Sequence, residues 1–375
     1  MKRHKITYIV SCIDKSLEFE WAAKYLSGKY ELEFILINAK QNTTLSNYLN
    51  SVSVKNYFIK YRGKRDLFFA FVKVFLCLFR TKPDLINAHL FDATFIGLPA
   101  AFLCGIKQRL YTRHHSDLHH VYFPHAIKYD KLNNKLATHI IAVSETVKDI
   151  LVQKEGVNPL KITVVPHGIN IDEFKKPIDV KIESLKLKYN LKGFYPVIGV
   201  ISRYTEWKGI HYIIPAFHKL LKNYPNACLV LANAKGDYAK EIHEELKAIN
   251  RDHFREIEFE PDVASLYHCF DIFTHAPVSK TAEAFGQIYI EALAAGKACV
   301  CTLSGIANEI LKDKQNAIIV DYRNSVSIEN AYRLILENPE LVKQLVTNGP
   351  QSVIEFTADK KFNSLALLYD RMLLK

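Results

Sequence analysis

The chain has 375 residues, 50 Lys and Arg against 39 Asp and Glu, and a formal net charge of +11. That length predicts two or three domains, and a content of 49% hydrophobic and 12% aromatic residues excludes a disordered chain. Seven scattered cysteines, at 12, 77, 104, 228, 269, 299 and 301, include no CxxC pair, which argues against a disulfide framework or structural zinc and for a reducing compartment.

Taken in chain order, the N-terminal MKRHKITYIVSCIDK passes from basic residues through a few apolar ones into charges, unlike a signal peptide. Runs of β type are expected at 5–11, 31–37, 54–60, 84–89, 109–112, 138–144 and 161–167, with helices over 16–27, 64–80, 93–104 and 144–154. Residues 67–79, LFFAFVKVFLCLF, are apolar except for Lys73. Thirteen positions fall short of the ~20 that a spanning helix needs, so the run reads as a buried helix or as one that touches a membrane surface. A second series of strands is expected near 197–202, 227–232, 257–260, 271–275, 298–302 and 317–320, with helices near 209–223, 237–249, 285–295 and 326–347. Strands separated by helix-length segments predict βαβ units and parallel sheets. HGINIDEFKKPID (167–179) reads as a linker and 350–375 as one more helix. The expected fold is therefore α/β, two doubly wound Rossmann-like domains facing a cleft, with ligands beyond the carboxyl ends of the strands. The expected domains are 1–170, 171–350 and a terminal helical segment 351–375 that crosses back to the first.

The charge is uneven. Residues 1–175 hold 25 Lys and Arg against 15 Asp and Glu, a balance of +10, and the remainder is near neutral at +1. Such asymmetry suggests a polyanionic partner; no nucleic-acid-binding signature accompanies it.

Two strand-to-helix loops stand out. SRYTEWKG (202–209) carries Arg203 and Lys208, either two solvated cations or a clamp for a diphosphate, with a helix start after them that favours the same anion. EAFGQIYIEALAAGKACVCT (283–302) puts Glu283 in a loop, has Phe285 and Gly286 open a helix, and sets Glu291 roughly 8–9 Å further along it. An anion at that helix start, with carboxylates on either side of it, suits the succession of sugar, diphosphate and ribose; a capping and a surface glutamate would look the same. Glycoside hydrolysis, which needs both carboxylates on one bond, fits poorly because the two point in different directions. A dehydrogenase is disfavoured, since no GxGxxG follows an expected strand.

EAFGQIYIE resembles the E-x7-E signature of the GT4-like retaining, nucleotide-sugar-dependent glycosyltransferases with the GT-B fold. KPDLINAH (82–89), YTRHHS (111–116), IIAVS (140–144), VVPHGINIDEF (164–174), SRYTEWKG and LSGIANEI (303–310) follow the family's order. The resemblance implies that Glu291 holds the ribose hydroxyls and Glu283 contacts the donor hexose. The backbone at Phe285, Gly286 and Gln287 would meet hexose and diphosphate, Arg203 and Lys208 would bind the phosphates, and His114, or His115 in the next register, would approach the donor sugar. The implied catalytic set is Glu283, His114, Arg203 and Lys208. Departures are SCIDKSLEFEW (11–21) where a Gly-Gly loop is usual, Ala284 for glycine, Gln287 for an apolar residue, and HGIN for N-G-V-D in the linker.

TRHHSDLHHVYFPH holds five histidines between 114 and 125, but their adjacent pairs lack the i, i+4 spacing of a helical zinc site. No metal and no cofactor are expected. The resemblance implies a retaining hexosyltransferase that uses a UDP- or GDP-sugar and acts on a lipid-linked or glycan acceptor in surface glycan or glycolipid assembly. The expected location is cytoplasmic, peripheral at an anionic membrane surface, with no nucleic-acid partner. Competing readings are a GT-B-like nucleotide-sugar epimerase or phosphorylase and a non-catalytic basic binding protein.

Overall fold

The structure is a computed structural model that describes residues 3–176 and 178–374. It divides into two compact units: the chain up to Gly168 together with the terminal helix from Ala358 on, and Ile169–Thr357.

The first unit holds seven parallel strands: β1 (Lys5–Ser11), β2 (Glu31–Asn38), β3 (Lys55–Lys60), β4 (Leu85–His89), β5 (Gln108–Arg113), β6 (His139–Ala142) and β7 (Ile162–Val164). Their order is β3-β2-β1-β4-β5-β6-β7. Six consecutive residues of β1 and seven of β2 are buried, as a sheet covered by helices on both faces requires. The terminal helix, Ala358–Leu373, supplies Phe362, Leu365, Leu368, Tyr369 and Met372 to this core. Polar contacts fix its rotation: Tyr369 Oη lies 2.6 Å from Tyr8 Oη and accepts from Asn87 Nδ2 at 2.8 Å.

The second unit holds β8 (Val197–Ile201), β9 (Cys228–Ala232), β10 (Phe254–Ile257), β11 (Ile272–His275), β12 (Ala298–Cys301) and β13 (Ile318–Ile319), in the order β10-β9-β8-β11-β12-β13. In both sheets the order reverses beside the first strand, between β1 and β4 and between β8 and β11. That reversal opens a crevice at the carboxyl ends of the strands.

Four expectations need correction. The segment 167–179 contains a short helix, Ile171–Lys175, whose Ile171 and Phe174 are buried, so it is packed chain as well as a connection. The strand expected at 257–260 is Phe254–Ile257; its two ends are buried, whereas Phe259 is exposed. The helix expected over 326–347 is two, Ser325–Leu336 and Pro339–Ser352, because Pro339 has no amide hydrogen to continue the first and suits the opening turn of the second. The terminal helix begins at Ala358, and 351–357 belong to the second unit.

Candidate functional site

In the second unit the loops that leave β8 and β11 border the crevice. They are joined backbone to backbone, with Val278 N–H donating to the Trp207 carbonyl at 3.0 Å. Gly209, at φ +70°, makes this approach possible: a Cβ there would lie 2.0 Å from the Ala276 carbonyl oxygen. The β8 loop delivers Arg203 and Lys208. Arg203 is exposed and makes no side-chain hydrogen bond or ion pair among the described residues. Lys208 turns inward and pairs with Glu283 Oε1 at 2.5 Å. The same oxygen accepts from His275 Nε2 at 2.8 Å, and Glu283 N–H donates to Ser304 Oγ at 2.9 Å.

These contacts set the protonation states. Burial alone would raise the Glu283 carboxyl, but the Lys208 charge and the His275 bond outweigh it and bring it down to about 2. Burial pushes His275 down, against the pull of Glu283, so at neutral pH its Nε2 carries the proton that Glu283 accepts. Its Nδ1 is buried with no partner among the described residues. Glu283 is thus an ionised carboxylate with a fixed orientation, and its Oε2 is left for another donor.

The helix after β11 runs Gln287–Ala294 with Gly286 as its cap at φ +81°. Phe285 and Gly286 therefore precede the helix that sequence reading has them open. A Cβ at Gly286 would lie 2.7 Å from the Tyr289 ring, so glycine is needed for space as well as for conformation. Phe285 is buried, with its carbonyl held by Ile306 N–H at 2.8 Å, and Gln287 is exposed. Glu291 lies one helical turn beyond Gln287; it accepts from Gln287 Nε2 at 2.8 Å and from Tyr267 Oη at 2.9 Å. Burial raises its carboxyl. Each carboxylate oxygen keeps acceptor capacity after one bond.

The first unit carries a second polar cluster at the same end of its sheet. His114 follows β5, and its Nε2 lies 3.1 Å from Nδ1 of His89, the last residue of β4. Its ring stacks 5.5 Å from that of His167, beyond β7. Glu18, from the helix Leu17–Leu26, lies 3.0 Å from His167 Nδ1. Lys361 of the terminal helix sits 2.7 Å from Glu18 and 2.9 Å from His167 Nδ1. Burial lowers His114 to about 3, with Glu18 opposing and His167 and Lys361 reinforcing, and lowers His89 and His167 as well. Glu18 is held well below the carboxylate range, since Lys361 and His167 overcome its burial. The result is a group of neutral imidazoles beside an internal ion pair.

His115 faces elsewhere. With His119 it surrounds Asp130, at 3.6 Å and 2.6 Å, and Arg113 bridges Asp130 and Glu155 at 3.1 Å and 2.6 Å. This second register packs the loop against the helix Ile127–Leu136 and leaves His114 as the histidine of the polar cluster. Two trios, Glu18/His114/His167 and His115/His119/Asp130, each bring three donor atoms within 4.8 Å of one another. In both, a protein cation already meets the carboxylate, Lys361 in one and Arg113 in the other.

Sequence reading missed Glu18, His89, His167, Lys361, His275 and Tyr267. Glu18 and His167 lie inside segments singled out as departures from the family pattern, which was the available signal. Lys361 reaches Glu18 across more than 340 residues of chain, and no local pattern marks it.

The sequence matches the family model described as glycosyl transferases group 1 over residues 181–352 and the one described as glycosyltransferase family 4 over 22–173. It is 24% identical to the capsular polysaccharide biosynthesis glycosyltransferase CapM of Staphylococcus aureus, spanning 97% of this chain and 94% of that one. It is also 24% identical to the alpha-monoglucosyldiacylglycerol synthase of Acholeplasma laidlawii, over 77% and 76%. In fold it is similar to Anabaena HepE in complex with UDP-glucose, with a TM-score of 0.83, 19% identity and coverage of 98% and 99%. The two family matches leave only the chain ends and residues 174–180 unmatched, and the chain belongs to the GT4-like glycosyltransferases of the GT-B fold.

Proposed function

We propose that the protein transfers a hexose from a UDP- or GDP-sugar to an acceptor hydroxyl, with retention at the anomeric carbon and without a metal ion. The observation that carries this reading is the group at the β8–β11 crevice: an unpaired exposed Arg203, and Lys208 and His275 on one oxygen of an ionised Glu283. Along the next helix follows the carboxylate of Glu291. Arg203 and Lys208 meet the diphosphate, Glu283 Oε2 accepts from a hexose hydroxyl, and Glu291 accepts from the ribose. The uncommon Gln287 is exposed at the helix start, where it would bear on the choice of donor sugar.

As the nucleoside diphosphate departs, negative charge builds on its β-phosphate. Lys208 is held beforehand by Glu283, and an incoming phosphate competes for that ammonium. Arg203, Lys208 and the helix start at Gly286 then stabilise the leaving charge without reorganising solvent, where fixed electrostatics act most strongly. His114, neutral at physiological pH, can donate to or accept from a sugar hydroxyl without bringing charge of its own. No protein nucleophile is assigned; the leaving phosphate oxygen takes the acceptor proton. The carboxylates of the histidine clusters are already balanced by Lys361 and Arg113, so the reading needs no divalent ion.

For the acceptor we propose a lipid-linked or growing surface glycan at the cytoplasmic face of an anionic membrane. The +10 balance of residues 1–175 supports this, as do relatives named for capsular polysaccharide biosynthesis and for a glycolipid synthase. No helix among the described residues is long and apolar enough to cross a membrane.

The test is a panel of nucleotide sugars read by thermal shift, with UDP and GDP alone alongside and with chelator present. A matching donor at ~1,000-fold excess over its Kd raises stability by about 4 kcal/mol. Product analysis with and without acceptor then separates transfer from epimerisation or phosphorolysis. Conversion of the nucleotide sugar without acceptor, or a product of inverted configuration, would overturn the proposal.

A further inference from the structure

The helix Leu67–Thr81 is apolar on two sides. Ala70, Val74 and Leu78 form the buried stripe, and the helix packs there against its neighbour Phe91–Leu103. At 100° per residue, Phe68, Val72, Phe75, Leu76, Phe79 and Phe69 fall in an arc about 120° wide on the opposite side. Four of these are exposed: Phe68 71%, Phe69 67%, Phe79 57% and Leu76 42%. Phe102 and Leu103, at the end of the neighbouring helix, are 53% and 62% exposed. They are contiguous with the arc, because Cys104 Sγ contacts the Phe75 carbonyl at 3.5 Å and Phe79 shares a groove of about 470 Å³ with residues 104–107.

The surroundings of this patch are cationic. Lys73 and Arg80 line one edge of the arc, Lys64 and Arg65 outnumber Asp66 before the helix, and Lys82 and Lys107 line the groove together with Asp84. No acidic residue lies between 67 and 83. Exposed phenylalanines in such number are costly in water. A second protein would have to bring both an apolar and an acidic surface, whereas an anionic bilayer offers both at once.

We infer that this outer face is the membrane-insertion surface of the first unit: the Leu67–Thr81 helix lies in the plane of an anionic bilayer. Phe68, Phe69, Phe79, Phe102 and Leu103 enter the acyl boundary, and the Lys73 and Arg80 edge stays among the anionic head groups. Its apolar side meets hydrocarbon while the basic edge stays at phosphate level, the arrangement of an interfacial helix. The inference rests on the membrane-linked acceptor proposed above and adds the residues and the depth of the contact.

Vesicles of phosphatidylcholine alone and of phosphatidylcholine with phosphatidylglycerol test it by flotation, with the full-length protein. The wild type should float with the anionic vesicles and lose binding as salt rises. Phe68→Ala/Phe79→Ala should float about tenfold less or weaker still with an unchanged melting temperature, since both side chains are exposed. Phe79→Trp should show a blue-shifted emission difference from the parent, which has Trp21 and Trp207, and quenching by acyl-brominated phosphatidylglycerol. If the wild type floats with neither vesicle, the membrane-linked acceptor itself falls. If the wild type floats and the double variant floats equally, insertion by this face is wrong while charge-driven attachment survives. A wild-type dimer that Phe68→Ala/Phe79→Ala makes monomeric, with no vesicle binding by either, would make the patch a protein contact and overturn the inference.

Discussion

The two units share one sheet topology as far as the sixth strand, and the ends of corresponding strands carry opposite chemistry. Beyond β8 and β11 stand a free guanidinium, an ammonium and an ionised carboxylate, with glycines where backbone must come close. Beyond β1, β4, β5 and β7 stand three imidazoles that burial keeps neutral, and an ion pair closed upon itself. A region with an unmatched cation suits a polyanion, and one whose charges are internally matched suits neutral hydroxyls. The difference between the units therefore lies in which side chains gather at the strand ends, since strand order does not distinguish them.

The comparison breaks most readily at Lys361. Replacing it with Met leaves the half-buried Glu18 without its cation, which should cost about 1–3 kcal/mol; Glu18→Gln in the same chain should restore most of this. Urea unfolding of the single and double variants measures it, and equal stabilities would mean that the ion pair does not hold the first unit. In the second unit the largest effect is expected on turnover. Lys208→Ala should lower kcat by about 10²–10³-fold, with less change in KM, and Arg203→Ala should combine with it non-additively if both meet the one leaving group proposed. Wild-type kcat with only a raised KM would assign them to ground-state binding.

Glu291→Ala should weaken nucleotide affinity by about 1.5–3 kcal/mol for each bond lost, read by calorimetry with UDP and GDP. Unchanged affinity removes Glu291 from the site. The titrations sharpen the contrast further. Glu283 is depressed to about 2 from an ordinary 4.5, so its contribution is complete above the unfolded value and is lost as pH falls from about 4.5 towards about 2. Acid unfolding of Glu283→Gln should show a smaller loss across that window than the wild type. The smallest signal is that of His114: with its ring lowered to about 3, its imidazole resonances should not move between pH 5 and 8, and a midpoint near 6.5 would contradict the neutral cluster.

Much of this was legible in local pattern. Strands buried on both faces read as unbroken apolar runs, as in ELEFILIN, and an exposed position such as Phe259 misled only the placement of β10. Lys208, Glu283, Gly286 and Glu291 were legible because consecutive loops and one helix carry them. His275 was not singled out, since a histidine ending a strand has no period to betray it, and its bond to Glu283 exists only once that loop folds back.

The sequence by itself determined the alternation of strands and helices, the placement of Arg203, Lys208, Glu283 and Glu291 after neighbouring strands and the excess charge of the first half, because each is written in neighbouring positions or in a sum over them. Tertiary structure alone decided that His114, and not His115, joins Glu18, His167 and Lys361. Adjacent residues after a strand point apart, and only the packing of the helices Ile127–Leu136 and Ala358–Leu373 selects which of them faces which carboxylate. It also decided that the apolar helix 67–81 keeps one side bare: a helix apolar all round carries no mark of which side its neighbour will cover.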